Sequence, residues 1–125
     1  MPSSITSLNS YVFSGCTNLK EITLPNGITE IGWASFYGCR LSSIVIPEGV
    51  TSIGWEAFHQ CEALQIVTLP DSIQNIDMDA FSGCINLKEV TYRETTYTTE
   101  EALLEALTSN GVSVGESAFS CLSND

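Results

Sequence analysis

The chain has 125 residues, enough for one domain with a modest core. It is 43% hydrophobic and 15% charged, with fifteen acids against four Lys and Arg and a formal net charge of −11. That balance argues against nucleic acid and against an anionic membrane surface, because both need a basic patch. No run of about 18 apolar residues is present, so no helical membrane span is expected. Residues 1–4 also lack the basic start and apolar stretch of a signal peptide. Five cysteines is an odd count, so a full disulfide framework would leave one over.

Taken in chain order, the same elements return. Pro2-Ser3-Ser4-Ile5 is in phase with Pro25-Asn26-Gly27-Ile28, so the chain opens just after a missing strand. Residues 19–24 alternate as a half-buried strand does, with Ile22 and Leu24 inward and Glu21 and Thr23 outward. Pro25 ends that ladder because it has no N–H to donate. A second short inward pair follows, Ile28 and Ile31, and Gly32 suits a sharp bend. The A-F-x-x-C stretch then reads as a short helical turn, with phenylalanine and cysteine on one face. ITLP at 22–25 becomes IVIP at 44–47 and VTLP at 67–70. ITEIG at 28–32 becomes VTSIG at 50–54 and IQNID at 73–77. Phe13, Phe36, Phe58 and Phe81 each precede Cys16, Cys39, Cys61 and Cys84 by three residues. The result is a fourfold repeat of about 23 residues that only stacking can bury.

Residues 94–111 break the period. Thr98-Thr99-Glu100-Glu101 fits a capping box with threonine first and glutamate three later. The following EEALLEAL predicts a short helix packed on the solenoid, with Leu103 and Leu107 one turn apart and Asn110-Gly111 as its stop. Residues 114–119 match residues 53–58, and Phe119 is followed by Cys121 after two residues instead of three. The expected division is a solenoid at 1–93, a helical insertion at 94–111 and a partial fifth repeat at 112–125. The unfinished turns at both ends fit a fragment of a longer array or a degenerate cap.

The recurring I-x-I-P, I-x-x-I-G and A-F-x-x-C motifs resemble the BspA-like leucine-rich repeat, well over residues 2–93 and weakly over 112–121. One departure is plain: Gly27, Gly49 and Ser72 stand where the common pattern has asparagine. The resemblance implies an α/β repeat, a right-handed, curved leucine-rich-repeat solenoid. Its concave face would carry a parallel β-sheet, with short helical turns on the other side. It also implies surface-exposed or secreted proteins that act by binding, some as adhesins for host or extracellular-matrix proteins.

His59, Cys61 and Glu56 look like chemistry until their columns are compared. The His59 column is Ser14, Tyr37, His59 and Ser82, a variable and surface-like set. Cys61 belongs to an inward column, so a Cys–His dyad is not expected. Stacked cysteines are read as buried free thiols, since a straight ladder does not converge into a zinc tetrahedron. Neither a metal, a cofactor nor a catalytic set is expected, and the chain reads as a non-enzyme. Trp33 and Trp55 stack on adjacent turns, with Met78 next and Ser10 and Glu116 at the column's ends. Two readings stay open: mutual packing that shields the bend, or an exposed aromatic strip for a protein or glycan. The sheet face is the other candidate surface, with the columns Glu21, Ser43, Ile66, Glu89 and Thr23, Val45, Thr68, Thr91. A protein-binding module is the favoured function; a structural spacer in a longer array and a glycan-binding module are the alternatives.

Overall fold

A computed structural model describes residues 7–8 and 13–122. The in-phase segment 2–5 and the column members Ser10 and Tyr11 lie outside the described residues. Among the described residues, nine short strands and one helix follow in order: β1 (Ser7–Leu8), β2 (Glu30–Ile31), β3 (Ser43–Val45), β4 (Ser52–Ile53), β5 (Ile66–Leu69), β6 (Asn75–Ile76), β7 (Glu89–Tyr92), β8 (Thr95–Tyr97), α1 (Glu100–Ser109) and β9 (Ser113–Val114).

The strands sort into two sheets, one per strand of the repeat. The inward pairs Ile28/Ile31, Val50/Ile53 and Ile73/Ile76 lead into a five-stranded parallel sheet ordered β1-β2-β4-β6-β9. Its register is one repeat per step: Ile31 opposite Ile53, Ile53 opposite Ile76, Ile76 opposite Val114. The strands before Pro47, Pro70 and the equivalent Arg93 form the second sheet, β3-β5-β7, parallel throughout. β8 closes its far edge antiparallel to β7. The chain is a leucine-rich-repeat solenoid.

A third ladder joins the sheets, and it differs from the expected helical turn. The N–H groups of Ala34, Phe36 and Gly38 donate across to the carbonyls of Trp55, Ala57 and His59 at 2.9, 2.8 and 2.9 Å. Those of Ser35, Tyr37 and Cys39 donate back three residues, to Gly32, Ala34 and Phe36. A helix would direct every N–H along its own axis and leave none for the next coil. Alternation lets each turn close on itself and bond its neighbour. It goes with a left-handed residue in each of four coils, Ala34, Glu56, Asp79 and Ser117, at φ 54–61°. Each such residue costs about 1–2 kcal/mol, which the bonds between coils offset.

The glycine expectation also changes. Gly54 is not left-handed; a Cβ there would stand 2.8 Å from the Ile31 carbonyl oxygen and from the Gly32 carbonyl carbon. A Cβ on Gly115 would meet the backbone of Asp77 and Met78 more closely still. These positions are glycine because adjacent coils touch there.

The core is a set of columns. Phe13, Phe36, Phe58, Phe81 and Phe119 stack with centroids 5.2, 5.0, 5.0 and 5.0 Å apart. That is the spacing of the strands themselves, roughly 4.8 Å. The partial fifth turn therefore joins the solenoid through β9 and Phe119.

β8 was not foreseen in the insertion. Arg93 and Glu94 both have positive φ, 51° and 68°, as the two-residue hairpin turn that matches strand twist requires. Next, α1 begins at Glu100, but its N-cap lies one residue later than the expected Thr98. Thr99 is its N-cap and accepts from the Ala102 N–H at 3.3 Å. Ala102 holds the third helical position, so the glutamate half of the expected box is missing. Leu103 and Leu107 are buried and seat α1 against β8 and β9.

Candidate functional site

Both tryptophans are held by the stretch just after the close coil contact. Trp33 and Trp55 pack with ring centroids 6.1 Å apart, tilted by 39°. The two open readings meet here. The indoles do pack on one another, yet they stay 43% and 48% exposed, and Met78 is 39% exposed. Trp33 Nε1 donates to Glu56 Oε1 at 3.3 Å, which ties one coil's indole to the next coil's left-handed residue. Glu116, at the end of the column, is exposed, and Asp77 and Asp79 are half-buried beside Met78. The strip is thus apolar with an acidic margin.

The sheet face is less continuous. Ser43, Val45, Ile66 and Glu89 are exposed, while Thr68 and Thr91 are partly covered. Val45 stands opposite Thr68, and Ile66 stands between Ser43 and Glu89. Thr91 Oγ1 is 3.2 Å from Thr96 Oγ1, so β8 occupies part of the Thr91 surroundings. Glu21 and Thr23 are exposed, as expected, but their segment is not a paired strand of this sheet. Residues 21–24 form no strand and do not pair with β3; they line a cavity beside it.

The cysteines are free thiols, and Cys39, Cys61 and Cys84 are buried while Cys16 and Cys121 are half-buried. Their role goes beyond filling space. The Sγ–H groups of Cys39, Cys61, Cys84 and Cys121 donate to the carbonyls of Phe13, Phe36, Phe58 and Phe81 at 2.9, 3.0, 3.0 and 3.1 Å. Each thiol ties its coil to the preceding one. Burial and then the neighbouring Cys61 push the Cys39 thiol up to about 11. Cys84 is pushed up as well, by the adjacent Cys121 and Cys61 thiols and by burial. Both shifts disfavour the thiolate, the form that nucleophilic chemistry needs.

His59 departs from the expected surface position. It is half-buried, its ring lies 5.1 Å from Tyr37 at 46°, and its Nδ1 is buried with no hydrogen bond to the protein. The Cys61 thiol is committed to Phe36 instead of to His59. Two further features escaped the sequence. Ile85 is 69% exposed, in the otherwise polar column of Thr17, Arg40 and Glu62. Ser72, where the common pattern has asparagine, bonds the preceding coil: its hydroxyl accepts from the Gly49 N–H at 2.9 Å and donates to the Val50 carbonyl at 2.8 Å. Among the described residues, no three His, Cys, Asp or Glu side chains converge as metal ligands, and no helix is long and apolar enough to cross a membrane.

A family model described as a BspA type leucine rich repeat region of six copies matches residues 1–109. The chain belongs to the BspA-type leucine-rich-repeat family. Solved structures agree. A leucine-rich repeat protein from Bacteroides ovatus is 36% identical at a TM-score of 0.69, over 93% of this chain and 30% of that one. A leucine-rich repeat protein of T. pallidum is 27% identical at 0.62, over 91% of this chain and 57% of that one. A leucine rich cell surface protein from Faecalibacterium prausnitzii is 27% identical at 0.57, over 72% of this chain and 34% of that one. The BspA-type chain therefore spans less than two thirds of each of these proteins. No curated protein gives a significant match. BspA-type modules are generally non-catalytic and mediate protein interactions.

Proposed function

We infer that this chain is a non-catalytic, adhesin-like protein-binding module of a cell-surface or secreted protein, and that it binds through Trp33, Trp55 and Met78. The observation that carries the reading is the exposure of three large apolar side chains on three successive coils. Tryptophan is enriched among residues that dominate binding energy, and a spacer has no use for a contiguous apolar strip. One structural neighbour is a cell surface protein, which supports display outside the cell. A glycan ligand is less well served: the 39° tilt breaks the common plane that successive sugar rings would stack on.

Titrating a reduced, monomeric sample against extracellular-matrix proteins, host surface proteins and glycans tests this reading. Replacing both indoles (Trp33→Ala with Trp55→Ala) should weaken protein binding at least tenfold, the effect of about 1.4 kcal/mol or more. Thr68→Ala with Thr91→Ala should change it less than about threefold, because both side chains are partly covered. Absence of binding by the unmodified chain sinks the proposal for those ligands. The reverse ranking of the two variants moves the site to the sheet face.

A further inference from the structure

The two edges of the β3-β5-β7 sheet are treated differently. At the far edge the chain doubles back and β8 pairs with β7, so β7 is not left as the open edge. At the near edge the first coil supplies no strand. Residues 21–24 carry the same alternating pattern as β3 and β5, yet they do not pair with β3. This is local to one sheet. The strand before them, β1, pairs with β2, and the phenylalanine of the same coil, Phe13, stacks on Phe36. The first coil is thus docked at β1 and at Phe13, while its segment 21–24 stays unpaired.

The gap is a cavity of about 420 Å³. That lies within the roughly 300–1,000 Å³ range of ligand pockets. On one side stand Glu21, Thr23 and Asn26, and on the other Ser43, Val45 and Pro47. The direction of the β3 backbone follows from its bonds to β5. The Ser42 carbonyl accepts from the Gln65 N–H, and the Ile46 N–H donates to the Thr68 carbonyl. In a parallel strand, alternate residues turn both backbone groups to the same side. Residues 42, 44 and 46 therefore serve β5, and Ser43 and Val45 turn their N–H and C=O groups into the cavity. No hydrogen bond from residues 21–24 reaches them. Pro47, next in that alternation, has no N–H to offer.

We propose that the groove between residues 21–24 and β3 is a docking site for an extended segment of a partner protein, which adds as a parallel strand on the Ser43–Val45 edge. Two donors and two acceptors at a two-residue spacing match another extended backbone and little else. Half-buried Ile22 lies on the cavity's lining and offers the segment an apolar surface, while Leu24 beside it already belongs to the core. Val45, 64% exposed, extends the contact onto the sheet face. The site stands apart from the indole strip, and neither claim depends on the other.

Amide hydrogen exchange by NMR on the full chain tests the proposal. Without ligand, the Ser43 and Val45 amides should exchange at least about tenfold faster than those of Ile46 and Gln65. The probe is a blocked peptide copying residues 65–70, the strand that already fits the other edge of β3. At millimolar concentration it should slow Ser43 and Val45 exchange by about tenfold or more and leave both indole resonances in place. The same peptide N-methylated at alternate residues should have no such effect, a control that asks nothing of the protein's folding. The proposal is overturned if Ser43 and Val45 are already as protected as Ile46, which would mean that residues 21–24 pair with β3 in solution. It is equally overturned if the peptide slows neither amide, or if the N-methylated peptide acts as well.

Discussion

Removing one ring from the phenylalanine column should show how the solenoid is held. Phe58 has no exposed surface and sits between Phe36 and Phe81, at 5.0 Å from each and within 4° of parallel. Phe58→Ala deletes a fully buried ring and leaves a cavity between two coils, which costs roughly 3–5 kcal/mol. The two lost ring contacts, worth about 0.5–1.5 kcal/mol each in such pairs, place the expectation in the upper half of that range. Phe13→Ala provides the contrast. Phe13 is half-buried, so about 1–2 kcal/mol is expected from lost burial. Urea unfolding followed by far-UV circular dichroism reads both. Phe58→Leu, at about 1–2 kcal/mol, keeps the comparison usable if Phe58→Ala does not fold. A falling m-value in Phe58→Ala would mean that the coils beyond the cavity unfold separately, as nearest-neighbour stacking allows. A loss below about 1 kcal/mol at Phe58, or equal losses at Phe58 and Phe13, would refute the column as the main support.

Two other outcomes follow from the coil contacts. Gly54→Ala should cost more than about 2 kcal/mol by the same assay, because its Cβ would stand 2.8 Å from backbone atoms that no rotamer change can move. A neutral result would show that the coils can separate at no cost. The second outcome concerns pH. The Cys39 thiol titrates at about 11 in the folded chain against an ordinary 9.0, so the unfolded chain loses its proton first. Stability from Cys39 is complete below pH 9 and is lost as pH rises through about 11. Unfolding midpoints between pH 8 and 10.5 should fall more steeply for the unmodified chain than for Cys39→Ala; parallel slopes would contradict the shift.

The sequence reading succeeded where physics acts through a repeated side chain. Phe58 and Cys61 announce their columns because burial demands the same residue type at each coil. The Ile28/Ile31 pair likewise signalled an inward element. It failed where the backbone does the bonding. Nothing in A-F-x-x-C says that alternate N–H groups reach the next coil, or that Glu56 must be left-handed. The bond from Cys61 to the Phe36 carbonyl is equally silent, since a small hydrophobe explains the residue as well. Arg93-Glu94 carries none of the Gly or Asn that betray a hairpin turn, so β8 went unseen. His59 was placed at the surface by its variable neighbours, yet Tyr37 of the preceding coil half covers it. The groove beside β3 was hidden by a pattern at 19–24 that reads as an ordinary strand. The indole strip was legible as a column, and only the structure supplied its exposure and tilt.

Fluorine NMR tests the proposed binding surface of Trp33 and Trp55 most directly. The chain has only two tryptophans, so 5-fluorotryptophan labelling yields two fluorine resonances, assignable by single substitution. Added matrix or host surface protein that binds the chain should shift or broaden both resonances in step with saturation. Saturating ligand that leaves both resonances unchanged would place the binding surface away from the two indoles.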